Sequence, residues 1–246
     1  MNPHTNRATM AAATILTLIT LTTLTACGGE DEADRATGEP RPSASQSKRP
    51  TPAGKLAGLM VSPTDVKGFS VQKHSDEFAL ATSPDEVTLD KPACAPLAYA
   101  INQLPLGEPQ AELTRVLTDE AKGVNGAHTY ITLTTYASGG AQPVMADVKK
   151  AAAACGNGFT AKGSGGTSTY DSITPENVTP AGDEALGFKA TMTFRGAPHT
   201  MHTQVVREGE VIGVYFSVNG AAIANARPSD AKLTPAVVTA QNAKLG

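Results

Sequence analysis

The chain has 246 residues, a formal net charge of −3, no Trp and only 4% aromatic residues. Mild acidity gives no electrostatic footprint for nucleic acid. So few aromatics leave little from which to build the stacking platforms of a single-strand nucleic-acid or sugar-binding surface.

The first 26 residues read as a removable leader. MNPHTNR carries Arg7 as its one firm charge and is followed by ATMAAATILTLITLTTLTA, an apolar run interrupted only by Thr. A basic start, an apolar middle and small residues before a cut define a secretory signal peptide, and the run is short for a membrane span. The small residues lead straight into a cysteine, LTAC, which resembles the bacterial lipobox. Its thiol is alkylated by diacylglycerol, and the signal is cut between Ala26 and Cys27. That chemistry needs a nucleophilic sulfur at Cys27 and small residues at Thr25 and Ala26 to enter a narrow peptidase site. The expectation is a mature protein that begins at Cys27, held by lipid on the outer face of the cytoplasmic membrane, facing the cell wall. Two acyl chains supply a stable anchor, at about 0.8 kcal/mol per buried methylene. Loss of Arg7 with the leader takes the net charge from −3 to −4.

Residues 27–52 read as the lipidated cysteine and a disordered tether. From Gly28 to Pro52 there is no aromatic residue and no Val, Ile, Leu or Met. Such a segment has nothing to bury against its ordering entropy. Its relaxed span is roughly 25 to 30 Å.

Residues 53–246 read as a single domain. LAGLM is a short helical pattern, and SPTDVKGF is a turn leading to a strand. DKPACAPLAYAINQLP gives a helix that stops before Pro105, and QPVMADVKKAAAAC gives a clearer one, from about Gln142 to Cys155, ended by Gly156. AELTRVLTDE and AHTYITLTTY alternate as strands around GVNGA. STYDSITPENV, EALGFKATMTFRG, HTMHTQVVREG and EVIGVYFSVNG continue the alternation with short turns between the last three. In EALGFKATMTFRG, Leu186, Phe188, Ala190, Met192 and Phe194 share one face and Lys189, Thr191, Thr193 and Arg195 the other, the pattern of a half-buried antiparallel strand. A last amphipathic helix, from about Ser229 to Lys244, is expected to bury Leu233, Val237, Val238 and Leu245 and to show Lys232, Gln241 and Lys244 to water. The fold class is therefore α+β: an antiparallel sheet with helices packed on one face, a two-layer sandwich.

With Cys27 lipidated, Cys94 and Cys155 remain, and outside the membrane an even pair reads as a disulfide. A metal pair or a catalytic thiol would be the alternatives, but there is no CxxC and no His fixed beside either cysteine.

Strings that resemble catalytic motifs fail on context. Gly156, Gly158 and Ala161 match G-x-G-x-x-A but follow a helix instead of a strand, GSGG lacks the Lys of a phosphate loop, and no G-x-S-x-G elbow occurs. His199 and His202, three apart on a strand, point to opposite faces and cannot share an ion, and they read as solvent-facing or turn histidines. His128 lies on another strand. Asp183-Glu184 is a carboxylate pair in a loop before a strand. No catalytic residue, metal site or cofactor is expected.

With lipobox, tether and two-cysteine α+β pattern in place, the folded region resembles the extracellular sensor-domain family named after the mycobacterial receptor kinase PknH, which includes many actinobacterial lipoproteins. The residues that carry the resemblance are LAGLMVSPTDVKGFSV, the Cys94 helix, GDEALGF and LTPAVVTAQNAKL. The resemblance implies an antiparallel sheet with packed helices and a cleft proposed to sense an extracellular ligand. Members can carry two disulfides, whereas this chain has cysteines for one, and it has no kinase portion. The expected function is a non-catalytic, ligand- or partner-binding surface lipoprotein, its partner a small molecule or an envelope protein. A cell-envelope hydrolase and a carrier of lipid or another apolar ligand are the alternatives.

Overall fold

The computed structural model describes residues 50–75 and 79–246. The expected leader, the cut between Ala26 and Cys27, and nearly all of the tether lie outside the described residues.

Helix α1, Pro52–Leu59, starts where Thr51 accepts a hydrogen bond from the Gly54 N–H at 3.1 Å and Pro52 occupies the first turn. Strand β1, Phe69–Lys73, follows. A 3-10 turn, Pro92–Cys94, runs into α2, Ala95–Ile101, after the two-residue strand β2, Thr88–Leu89. Then come β3, Ala111–Asp119, β4, His128–Thr135, and α3, Ala141–Ala154. β5, Phe159–Gly163, and β6, Gly166–Tyr170, complete a small three-stranded sheet in the order β2-β5-β6. β7, Ser172–Glu176, β8, Glu184–Phe194, β9, Ala197–Glu208, and β10, Val211–Val218, supply the rest of the main sheet, ordered β1-β3-β4-β10-β9-β8-β7. The short helix α4, Gly220–Ala224, strand β11, Ser229–Ala231, and α5, Pro235–Leu245, finish the domain.

The turns match their residues. Phe194 pairs with Ala197, so Arg195 and Gly196 form the whole loop, and both have positive φ, 50° and 79°. This is the conformation a two-residue hairpin requires, because its twist matches that of the strands.

The α+β class and antiparallel sheet stand as read from the sequence. Helices, however, cover both sheet faces, where the sequence reading placed them on one. Met201, Val205, Val214 and Phe216 pack with Leu97 and Ile101 of α2 and Met145 and Val148 of α3. Val206, Tyr215, Ile131 and Leu133 pack on the other face with Leu56 of α1 and Val237 and Leu245 of α5. The physical reason lies in the central strands. VIGVYFS of β10 is buried at every position, the mark of a strand covered on both sides, whereas β8 is buried only at Gly187, Phe188 and Ala190.

Cys94 and Cys155 form a disulfide, with Cα atoms 5.9 Å apart and a sequence separation of 61. It ties the start of α2 to the end of α3, and both cysteines are buried in the first of these cores.

The last helix begins six residues later than its sequence pattern suggests. Ser229–Ala231 instead pairs in parallel with His199–Met201 of β9. β10 runs beside β9 only as far as the Ser217–His202 pair, which leaves the backbone groups of residues 199–201 open on that side, and β11 takes them. Pro235 then fixes the helix start. Gln241, expected to face water, is fully buried: its Oε1 accepts from the Val61 N–H at 3.1 Å and its Nε2 donates to the Leu59 carbonyl at 2.8 Å.

Candidate functional site

Strand periodicity places His202 and Gln204 on the same face of β9, toward α5. Across the ladder His202 sits between Ser217 of β10 and Lys189 of β8, and Gln204 between Tyr215 and Gly187. Glu176, at the end of β7, pairs with Gly187. A cleft of about 440 Å³ opens above this floor, between residues 176–180 on one side and residues 232–242 on the other. Its size falls within the range of small-ligand sites. Val178, Pro180, Leu233, Pro235 and Val238 give it aliphatic walls. A Cβ on Gly187 would collide with the Val178 side chain, so that glycine is what lets one wall fold down onto the sheet.

His202 is held at both ends. Its Nδ1 lies 2.7 Å and 3.0 Å from the two carboxylate oxygens of Glu176, and its Nε2 lies 2.6 Å from Asp230 Oδ1. The ring links β7 to β11 across two intervening strands. With each nitrogen engaged by a carboxylate, neither is free to bond a nucleophile or to ligate a metal. Lys232 stands at the rim, 3.8 Å from Asp230 Oδ2.

Gln204 is 3% exposed and its Nε2 has no hydrogen-bond partner. Buried polar groups are nearly always paired, so an unpaired donor in the lining of a cleft is an exception. Ser217 Oγ, beside His202 on the same face, is also buried without a partner. Next to Gln204, the Tyr215 hydroxyl donates to Asn242 Oδ1 at 2.8 Å, and burial pushes its pKa far above the ordinary phenol value, which keeps it a donor.

The residues singled out in the sequence are not brought together. The disulfide lies on the opposite face of the sheet from the cleft. His199 and His202 do point to opposite faces, but both are buried instead of solvent-facing. His199 Nδ1 is 3.0 Å from Ser229 Oγ, a serine–histidine contact, yet its Nε2 has no partner and no carboxylate completes a triad. His128 Nδ1 is 3.0 Å from Thr118 Oγ1. Among the described residues no group of three or more His, Cys, Asp or Glu could hold a metal ion.

Asp183 and Glu184 are structural. Asp183 Oδ2 accepts from the Gly209 N–H at 3.0 Å and from Arg207 Nη1 at 2.6 Å, and Glu184 pairs with Lys149 and with Arg207. The Gly209 amide, followed by Arg207, holds the Asp183 carboxyl below its usual range, and the Lys149 ammonium does the same for Glu184. Two ionised carboxylates tied to cations are not an acid and base pair.

A second, smaller cleft of about 280 Å³ is lined by Lys73, Asn102, Gln103, Glu112 and Arg115.

No protein-family model matches the chain, and no curated protein matches it. Among solved structures it is similar to the extracellular domain of PknH from Mycobacterium tuberculosis, at 14% identity over 80% of this chain and 95% of that one, with a TM-score of 0.47. It is also similar to an uncharacterised Mycobacterium smegmatis protein, the Rv0999 ortholog, at 12% identity over 78% of this chain and 95% of that one, with a TM-score of 0.36. The first of these is the protein after which the family resembled at the sequence level is named.

Proposed function

We propose that this protein is a lipid-anchored, extracytoplasmic binding protein. Cys27 carries the lipid on the outer face of the cytoplasmic membrane, the following residues act as a spacer, and the domain recognises a ligand in the Gln204 cleft without catalysis. The unpaired, buried Gln204 amide in the cleft lining is the observation that carries this reading, because a buried donor without an acceptor is costly and a ligand acceptor would satisfy it. The occupied nitrogens of His202 and the incomplete His199–Ser229 pair support binding over hydrolysis. A carrier of apolar cargo would need a cavity walled by apolar groups, whereas this cleft has a polar base.

The test is native mass spectrometry of the full chain isolated from its own membranes, beside the Gln204→Leu variant. Binding predicts a retained small molecule that the variant loses. A chain that carries nothing and shows no response at cleft residues to any small molecule would overturn the proposal.

A further inference from the structure

This inference rests on the binding reading above and specifies its ligand. Three carboxamides, Gln204, Asn177 and Asn242, line one cleft whose walls are aliphatic. A carboxamide presents an acceptor and a donor side by side in one plane, the complement of a peptide group's N–H and C=O. Of the three, Gln204 is the one that is buried with its donor unpaired. Thr179 and Thr239 add hydroxyls that donate or accept.

The charges argue against an ionic ligand. An anion would meet Glu176 in the cleft lining, and Asp230, bonded to His202 and 3.8 Å from Lys232, offsets the cations there. A cation would gain little, because both carboxylates already hold His202 and Lys232 stands beside Asp230. No Phe, Tyr or Trp lines the cleft, and the one imidazole, His202, is bonded at both nitrogens, so a flat ring or a sugar face finds no broad stacking platform. What remains is an uncharged group rich in hydrogen-bond donors and acceptors that also carries a branched aliphatic part.

We infer that the cleft binds a short, uncharged peptide segment with an aliphatic side chain, in which Gln204 Nε2 donates to a peptide carbonyl. The side chain rests among Val178, Leu233 and Val238, and Asn177 and Asn242 flank the adjoining peptide groups.

The experiment titrates the full chain in detergent micelles with acetyl-Ala-Leu-Ala-amide and follows the side-chain amide resonances by NMR. Three further probes are compared: acetyl-Ala-Asp-Ala-amide, an ester analogue in which oxygen replaces one peptide N–H, and a set of amide-free neutral fragments. The expected result is a saturable shift of the Gln204 amide, with Kd raised about tenfold for the ester, the loss of one hydrogen bond. The Asp peptide should bind more weakly still, and Gln204→Leu should abolish the accompanying shifts of the Asn177 and Asn242 side-chain amides. Leu233→Arg, which blocks the wall without touching the polar base, should do the same and serves if Gln204→Leu does not fold. Equal binding of peptide and amide-free fragments at the cleft would overturn the peptide assignment and leave the binding reading standing. The absence of any response to every probe would overturn both.

Discussion

Gln241 accepts a hydrogen bond from the backbone N–H of Val61 across 180 residues of sequence, and with its other amide atom it donates to the Leu59 carbonyl. One side chain thereby closes the C-terminal end of α1 against α5. Gln241→Leu would keep the volume and strand both backbone groups in a buried site. The predicted loss is roughly 2 to 4 kcal/mol, measured as a lower urea midpoint at unchanged slope. A loss below half a kcal/mol would show that water replaces the amide.

Reduction of the Cys94–Cys155 bridge frees a loop of 61 residues. The loop-closure relation gives about 4 kcal/mol for a crosslink of that length. We predict that Cys94→Ala, Cys155→Ala and the reduced wild type unfold at similarly lowered temperatures. Thermal unfolding with and without reductant checks this, and identical curves for the wild type would contradict it.

Gly158 combines positive φ with the absence of space, since a Cβ there would overlap the carbonyl oxygen of Tyr170. Gly196, in the β8–β9 hairpin, also has positive φ but open space around it. Gly196→Ala is therefore expected to cost about 1 to 2 kcal/mol of backbone strain alone. Gly158→Ala should cost at least about 3 kcal/mol, because the 158–159 segment must also move. The ordering of the two variants in chemical denaturation is the test.

Four carboxylates have folded-state pKa values below their ordinary ones. The Ser62 hydroxyl lowers Asp65, the Thr82 hydroxyl lowers Glu86, the Gly209 amide lowers Asp183 and the Lys149 ammonium lowers Glu184. A lowered value means that folding favours the ionised form. The stabilisation is complete above the unfolded-state value and disappears as pH falls through the folded-state value. Stability should thus fall with acidification below about pH 4, through the carboxylate range. Asp183→Asn should make that fall shallower when urea midpoints are compared across pH.

The anchor is tested by fractionation. Cys27→Ala is predicted to move the protein from the membrane fraction to the soluble one, while Cys94→Ala leaves it in place. Retention of the Cys27→Ala protein on membranes would remove the lipid-anchor proposal.

Much of the fold could be read in the sequence because strands β8 and β9 and helix α3 carry their own periodicity, and short turn signals bound β10. Cysteine parity was enough to give the disulfide. The second helical layer was harder to see, although the unbroken VIGVYF of β10 is its trace, since no residue between 211 and 216 alternates to a polar one. The cleft was the least legible. Its polar base joins His202 to Glu176 and Asp230, 26 and 28 residues away along the chain, and only the sheet order brings them together. One signal was available: His202 and Gln204 are polar residues at alternate positions of a strand, between Met201 on one side and Val205-Val206 on the other. Gln241 gave no such signal, because a glutamine on an amphipathic helix looks the same whether it faces water or a backbone that needs it.

One wall of the cleft, residues 232–242, comes after every strand of the main sheet in the order of synthesis. A chain emerging N-terminus first can pair β1 to β10 and close its disulfide while this wall is still missing. The cleft is therefore the last feature the domain acquires, and a nascent chain stalled before residue 229 would have a sheet but not the binding site proposed above.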